Sequence, residues 1–135
     1  MKLGYTIVYV PDVSASLAFF ENAFGLKRKF LHESGTYGEM DTGETTLSFA
    51  AHALGDMNFP GGHVHADESV LPLGFEIALV TGDDVHAAHA KAIAAGAREM
   101  AAPQQKPWGQ TVSYLRCPDG LLVELCTPIT GGEGG

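Results

Sequence analysis

The strongest constraint on this chain is that it states one structural plan twice. The stretch "GYTIVYVPDVSASLAFFENAFGLKRKF" runs from an apolar strand through Pro11 and Asp12 into a helical pattern with Leu17, Phe20 and Phe24 at helical spacing, and closes at Gly25. The stretch "GFEIALVTGDDVHAAHAKAIAAGAREM" repeats it: a strand, a turn at Asp83 and Asp84, a helix carrying Val85, Ala88 and Ala92 with Ile93 beside them, and a closing Gly96. In each copy a Ser or Asp is placed to cap the free N–H groups of the first turn, and the glycine can take the left-handed conformation that ends a helix. Strand patterns follow each helix, at 27–33, 37–41 and 44–51 in the first copy and at 97–101, 111–116 and 121–127 in the second. The unit is β-α-β-β-β, twice. The 71 residues separating Gly25 from Gly96 make the copies half-domains, not the short units of a solenoid.

A chain of 135 residues with 45% hydrophobic content can bury one ordinary core but is too short for two. The expected organisation is a single α+β domain over 1–130, its two tandem modules forming one curved mixed sheet with a ligand cleft. Module one spans 1–51 and module two 74–130. Between them, 52–73 ("HALGDMNFPGGHVHADESVLPL") is rich in Gly and Pro, lacks periodicity and reads as a long connector. The "GGEGG" of 131–135 reads as a flexible tail.

Eight basic residues against sixteen acidic leave a formal charge of −8, the wrong sign for a nucleic-acid surface and a better match to cationic or neutral small ligands. No apolar run approaches the roughly 20 residues that span a bilayer, and Met1 leads straight into a strand pattern with no signal-peptide core, so no membrane partner and a cytoplasmic location are expected. Cys117 and Cys126 have no metal-ligand or redox spacing and read as reduced structural thiols.

Strand parity assigns the faces. In the first strand Thr6, Val8 and Val10 oppose Tyr5, Ile7 and Tyr9, and in its repeat Phe75, Ile77 and Leu79 oppose Glu76, Ala78 and Val80. In the fourth strand Leu47, Phe49 and Ala51 oppose Thr46, Ser48 and Ala50; in the last, Leu121, Val123 and Leu125 oppose Leu122, Glu124 and Cys126. One set suits packing beneath a helix. On the other set Tyr5, Ser48, Glu76 and Glu124 occupy repeat-equivalent places, and on one curved sheet they would converge on a single concavity.

The two β-α-β-β-β halves, the opening "VPDVSASLAFFENAFGL" and the close "WGQTVSYLRCPDGLLVEL" resemble the vicinal oxygen chelate superfamily, which includes glyoxalase I, extradiol dioxygenases, fosfomycin-resistance enzymes and bleomycin-resistance proteins. The resemblance covers nearly the whole chain outside the connector and tail. It implies the fold; one such scaffold carries many chemistries, so activity is argued from the site.

Metal enzymes of that superfamily place His, Gln or Glu ligands at positions that correspond to Tyr5, Ser48, Glu76 and Glu124. Only Glu124 is the residue type normally found there, and neutral Tyr and Ser hydroxyls are poor metal ligands. No metal cofactor is therefore expected; the alternative is a divalent ion held by the two carboxylates, with Mg²⁺ or Mn²⁺ ahead of Zn²⁺. Among the histidines, His63 and His65 in the Gly-rich connector read as solvated, and His86, His89, His32 and His52 as facing solvent.

The segment "KPWGQTVSYLRCPDG" is similar to the Pro-Trp-Gly stretch of bleomycin-resistance proteins, which hold a drug with no metal of their own. In this chain Cys117 replaces their usual Asp ahead of the Pro-Asp-Gly turn. The resemblance implies a metal-independent protein that binds a small organic ligand, in one form an antibiotic-sequestering factor. Tyr5, Tyr9, Phe59 and Trp108 would supply aromatic faces, Glu76 and Glu124 charge, and Ser48 a hydroxyl. The competing readings are Trp108 as a core plug, Glu124 as a structural partner of a hydroxyl such as Tyr5, a glyoxalase-like metal-dependent lyase or isomerase acting on a small carbonyl or diol, and a metal-free enzyme using Glu76 and Glu124 as acid and base. Short members of the superfamily pair to complete their sites, which implies a homodimer with the connector, 58–73, near the shared cleft.

Overall fold

A computed structural model of the chain describes residues 1–82 and 84–129. Asp83, Thr130 and the expected tail at 131–135 lie outside the described residues.

Both copies of the repeat fold as their patterns predict. Strand β1 (Tyr5–Val10) leads into α1 (Val13–Phe24), followed by β2 (Lys27–Leu31), β3 (Tyr37–Asp41) and β4 (Thr46–Ala51). After a short helix α2 (His52–Asn58) and a loop, β5 (Glu76–Val80) leads into α3 (Val85–Ala95), β6 (Arg98–Gln105), β7 (Thr111–Arg116) and β8 (Leu122–Cys126). The side chain of Asp12 accepts from the Ala15 amide at 3.1 Å, and Gly25 ends α1 at φ 67°, a conformation that costs other residues a steric clash at Cβ. Asp84 caps α3 in the same way, accepting from the His86 amide at 2.9 Å.

Hydrogen bonding divides the eight strands into two four-stranded mixed sheets of identical plan, β1-β4-β3-β2 and β5-β8-β7-β6, and among the described residues no strand of one pairs with a strand of the other. In each, the first strand runs parallel to the last, so the strand before the helix and the strand closing the module lie side by side at the sheet edge.

What joins the modules is their helix-covered faces. Val8, Val10, Leu47 and Phe49 from the first sheet, Leu115, Val123 and Leu125 from the second, and Leu17, Phe20, Val85 and Ala92 from α1 and α3 form one buried cluster. Phe20 and Phe49 are fully buried and in ring contact, each worth about 1.5–3 kcal/mol of transfer free energy. The helices pack on one another, and the buried Ser16 hydroxyl of α1 donates to Asp119 Oδ2 of the β7–β8 turn at 2.8 Å.

The connector is more ordered than its composition implies. Its first seven residues are α2, and its later part is fastened to module two by Arg116, whose guanidinium donates to the carbonyls of Ala66, Ser69 and Val70 at 2.8–3.1 Å. Gly120 (φ 92°) lies against the Ala66 backbone so closely that a Cβ there would collide with the Ala66 carbonyl.

Candidate functional site

With the helix-covered faces buried, the other face of each sheet is open along the first strand of its module, where the expected parity holds. Further in it is covered: Ser48 and Ala50 of the first sheet and Val112 and Cys126 of the second are buried. Tyr5 and Ile7 are exposed on the first sheet while Val8 and Val10 are buried; Glu76, Ala78 and Val80 are exposed on the second while Val123 and Leu125 are buried. The candidate residues therefore fall into two groups on two sheets.

On the second sheet the register places Glu124 beside Ala78 of β5 and opposite Tyr114 of β7. Glu76 lies on the same face, one alternation away. Burial, and then the Glu124 carboxylate at its side, hold the Glu76 carboxyl above the usual range. Burial and then Glu124 also push the Tyr114 phenol up to about 12, so it is a protonated donor at any physiological pH. The Cys126 thiol is raised for the same two reasons. Glu124 is thus the hub of an acidic group comprising Glu76, Tyr114 and Cys126. The ion pairs among the described residues lie elsewhere, and neither Glu76 nor Glu124 has a Lys or Arg partner. Tyr114 was missed in the sequence; its place opposite Glu124 follows from hairpin register, which alternation alone does not set.

Trp108 stands in the turn between β6 and β7. It is 61% exposed, with its indole N–H donating to Gln110 Oε1 at 2.8 Å, so it is not a core plug. Gln110 in turn donates to the Thr127 carbonyl just past β8, which sets the Trp108 turn at the Cys126 end of the Glu124 face.

On the first sheet Tyr5 is 57% exposed, and Tyr9 makes an edge contact with Phe59 at 5.7 Å. Ser48 lies on the same face, in register with Ile7, but beneath the Tyr37 side chain. It is fully buried, with Oγ 2.9 Å from Tyr37 Oη, which also lies 2.8 Å from Glu39 Oε2. The carboxylate can only accept, so Tyr37 donates to Glu39 and receives from Ser48. This sealing corrects the expectation of Ser48 as a ligand contact.

Two histidine expectations are also corrected. His89 turns inward at 5% exposure, with Nδ1 2.9 Å from Ser113 Oγ and Nε2 2.8 Å from Glu99 Oε2. The connector histidines are not solvated but clustered: His52, His63 and His65 bring one nitrogen each within 4.8 Å of one another. The sequence signal was the H-x-H pair of His63 and His65, discounted because a Gly-rich loop next to Pro60 more often holds solvated histidines.

Matching against protein families supplies the frame for these faces. The family model of the Glyoxalase/Bleomycin resistance protein/Dioxygenase superfamily matches residues 2–125. The chain belongs to this superfamily. A search of curated proteins finds no match. Among solved structures, this superfamily member is similar to a glyoxalase-related enzyme from Fulvimarina pelagi, with a TM-score of 0.79 at 17% identity over 95% of this chain and 88% of the other. It is also similar to a glyoxalase/bleomycin resistance protein/dioxygenase family enzyme from Burkholderia phytofirmans PsJN (TM-score 0.71, 22% identity, 94% and 98% covered) and to a superfamily member from Sphaerobacter thermophilus (0.68, 21%, 95% and 98%). At these identities the likeness is one of fold.

Four positions in this member correspond to places at which the superfamily's metal enzymes carry ligands. Two of the four are neutral hydroxyls, Ser48 is sealed under Tyr37, and the carboxylate pair lies on a different sheet from Tyr5 and Ser48. A cavity of about 460 Å³ lies between Phe24 at the end of α1, Leu79 and Lys91. Among the described residues no helix is long and apolar enough to cross a membrane.

Proposed function

We propose that this protein binds a small cationic organic ligand of the antibiotic type on the open face of its second sheet, with no metal at the superfamily's usual places. The observation that supports this most is the pair Glu76 and Glu124: two adjacent carboxylates on a face open along β5, one with raised proton affinity, neither paired with Lys or Arg. A cation entering there replaces repulsion with a charge-assisted hydrogen bond. Tyr114 completes the polar contacts, and the exposed indole of Trp108 offers a flat partner at the edge of the face.

One open sheet does not enclose a ligand. Tyr5, Ile7, Phe75 and Val80 are exposed large apolar side chains on or beside the open faces, and Val64, Val70 and Leu71 are exposed on the connector. This distribution supports a homodimer in which the aromatic face of module one in one copy covers the acidic face of module two in the other, with the connector at the seam.

A second reading has its own support. Burial and the neighbouring Glu124 carboxyl raise the proton affinity of Glu76, and such a carboxyl pair suits acid–base chemistry without a metal on a small carbonyl substrate. The deciding experiment is fluorescence titration of the lone Trp108 with a panel of flat cationic antibiotics, bleomycin included, together with product analysis of the mixtures. Retention of an unchanged ligand supports the binding protein and turnover supports the enzyme. Affinity that ignores Glu124→Gln removes both.

A further inference from the structure

His52, His63 and His65 come from separate parts of the connector: the first residue of α2 and, after the Gly61–Gly62 turn, the two ends of an H-x-H. His52 Nδ1 and His63 Nε2 lie 2.9 Å apart, and the His52 and His65 rings stack at 3.6 Å. Each imidazole has a carboxylate at one of its nitrogens. His52 Nε2 lies 2.8 Å from Asp67 Oδ1, His63 Nδ1 lies 3.5 Å from Asp56 Oδ1, and His65 Nδ1 lies 3.7 Å from Glu68 Oε2. Only the Asp67 contact is of hydrogen-bond length, and it favours a proton on His52 Nε2. His52 Nδ1 is then left to accept from His63 Nε2 at 2.9 Å, and that proton must shift to His63 Nδ1, facing Asp56, when a metal takes the site. One nitrogen of each of the three rings lies within 4.8 Å of the others. A carboxylate behind each imidazole is the support that metal-binding histidines use to fix tautomer and ring orientation.

The side chains of His52 and His63 are mostly buried, and His63 Nδ1 has no hydrogen-bond partner within normal geometry. Tyr9 and Phe59 pack against His63, and Gly55 has no side chain to intrude: a Cβ there would lie 2.9 Å from the Tyr9 ring and 3.2 Å from His63. The cluster is therefore walled by aromatic rings on the side of β1.

We propose that His52, His63 and His65 form a site for one transition-metal ion of imidazole preference, Zn²⁺ or Co²⁺, distinct from the superfamily's usual metal places and independent of the Glu76–Glu124 face. Three imidazoles leave a fourth position for water or a ligand atom. With metal–nitrogen bonds of about 2.0–2.1 Å, ligand nitrogens stand at most about 4.2 Å apart, so the widest separations in the cluster must close slightly. The stacked pair must also splay, because an ion cannot lie in the planes of two parallel rings. His65 is the side chain able to move, being about a third exposed.

The test uses the whole chain without a polyhistidine tag, stripped with chelator and titrated with Co²⁺ and then Zn²⁺, following the Co²⁺ visible spectrum, metal content after dialysis and melting temperature. One ion per chain, a nitrogen-ligand Co²⁺ spectrum and a raised melting temperature are expected. Affinity should fall at least about 100-fold in His63→Ala and about 10- to 100-fold in Asp67→Asn, and stay unchanged in Glu124→Gln. His65→Gln, at a partly exposed position, decides the matter if His63→Ala fails to fold. Failure of the folded protein to take up one ion, uptake that survives His65→Gln and His63→Ala, or uptake lost in Glu124→Gln would overturn the proposal. Ligand binding at the acidic face is read separately by Trp108 fluorescence, so either idea can fail alone.

Discussion

Glu124 and Tyr114 stand opposite each other across the β7–β8 pair, and the carboxylate helps hold the phenol protonated up to about pH 12. Tyr114 therefore keeps its proton throughout the working range, beside Glu124 on the same face of the sheet. Glu124→Gln should keep the fold, judged by circular dichroism, and weaken a cationic ligand roughly 10- to 100-fold, the value of a charge-assisted bond of about 1.5–3 kcal/mol. Unfolding of this variant would make Glu124 a structural residue.

The raised proton affinity of Glu76 gives stability a definite pH dependence. The folded state binds this proton more tightly than the unfolded chain, so the contribution is complete below the ordinary value of 4.5 and is lost as pH rises through the folded value. Glu76→Gln resembles the protonated form at every pH. Its melting temperature should exceed that of the wild type at pH 8 and match it near pH 4, and a difference independent of pH would contradict the assignment.

Trp108 is the one tryptophan of the chain and is largely exposed, so Trp108→Ala should leave the melting temperature within about 1–2 °C of the wild type. The same variant should weaken a flat ligand about tenfold through lost stacking. A drop of many degrees would show that the indole packs against a partner copy.

Light scattering at micromolar concentration should give twice the 14.2 kDa of one chain. Paired substitutions Ile7→Glu and Val80→Glu, both at exposed positions on open faces, should return the mass to that of a monomer with its circular dichroism unchanged. A monomeric wild type would refute the shared cleft.

The bond between Ser16 and Asp119 tests how the modules hold together. Asp119 is buried and also accepts from the Leu121 amide at 3.1 Å, so Asp119→Ala should cost about 1–3 kcal/mol in denaturant unfolding, while Ser16→Ala should cost about 1 kcal/mol. Little change in both would place the inter-module strength entirely in the helix packing.

The fold was legible because two periodicities agree with the caps around them: Leu17 and Phe20 at helical spacing between Asp12 and Gly25, and Val8 and Val10 alternating against Tyr5, Ile7 and Tyr9. Strand ends were less legible. β6 continues past Ala101 to Gln105 through Pro103, which an edge strand with bulges tolerates and a local pattern argues against. Glu124 announced itself as a carboxylate alternating with apolar residues. The histidine cluster did not, because its geometry depends on a loop folding back so that His63 and His65 meet His52, and no spacing rule encodes such a return. His89 misled for the opposite reason: its inward partners, Ser113 and Glu99, come from strands whose register the helix pattern does not reveal.

The two ends of the connector belong to different halves of the molecule. Phe59 packs on Tyr9 of β1, while the carbonyls of Ala66, Ser69 and Val70 are gripped by Arg116 of β7. A peptide bond cut in the exposed Gly61–Gly62 turn would thus leave each fragment carrying its own fastened length of connector, with α1 still seated on α3. The His52–Asp67 ion pair and the Tyr9–His63 ring contact would still span the break.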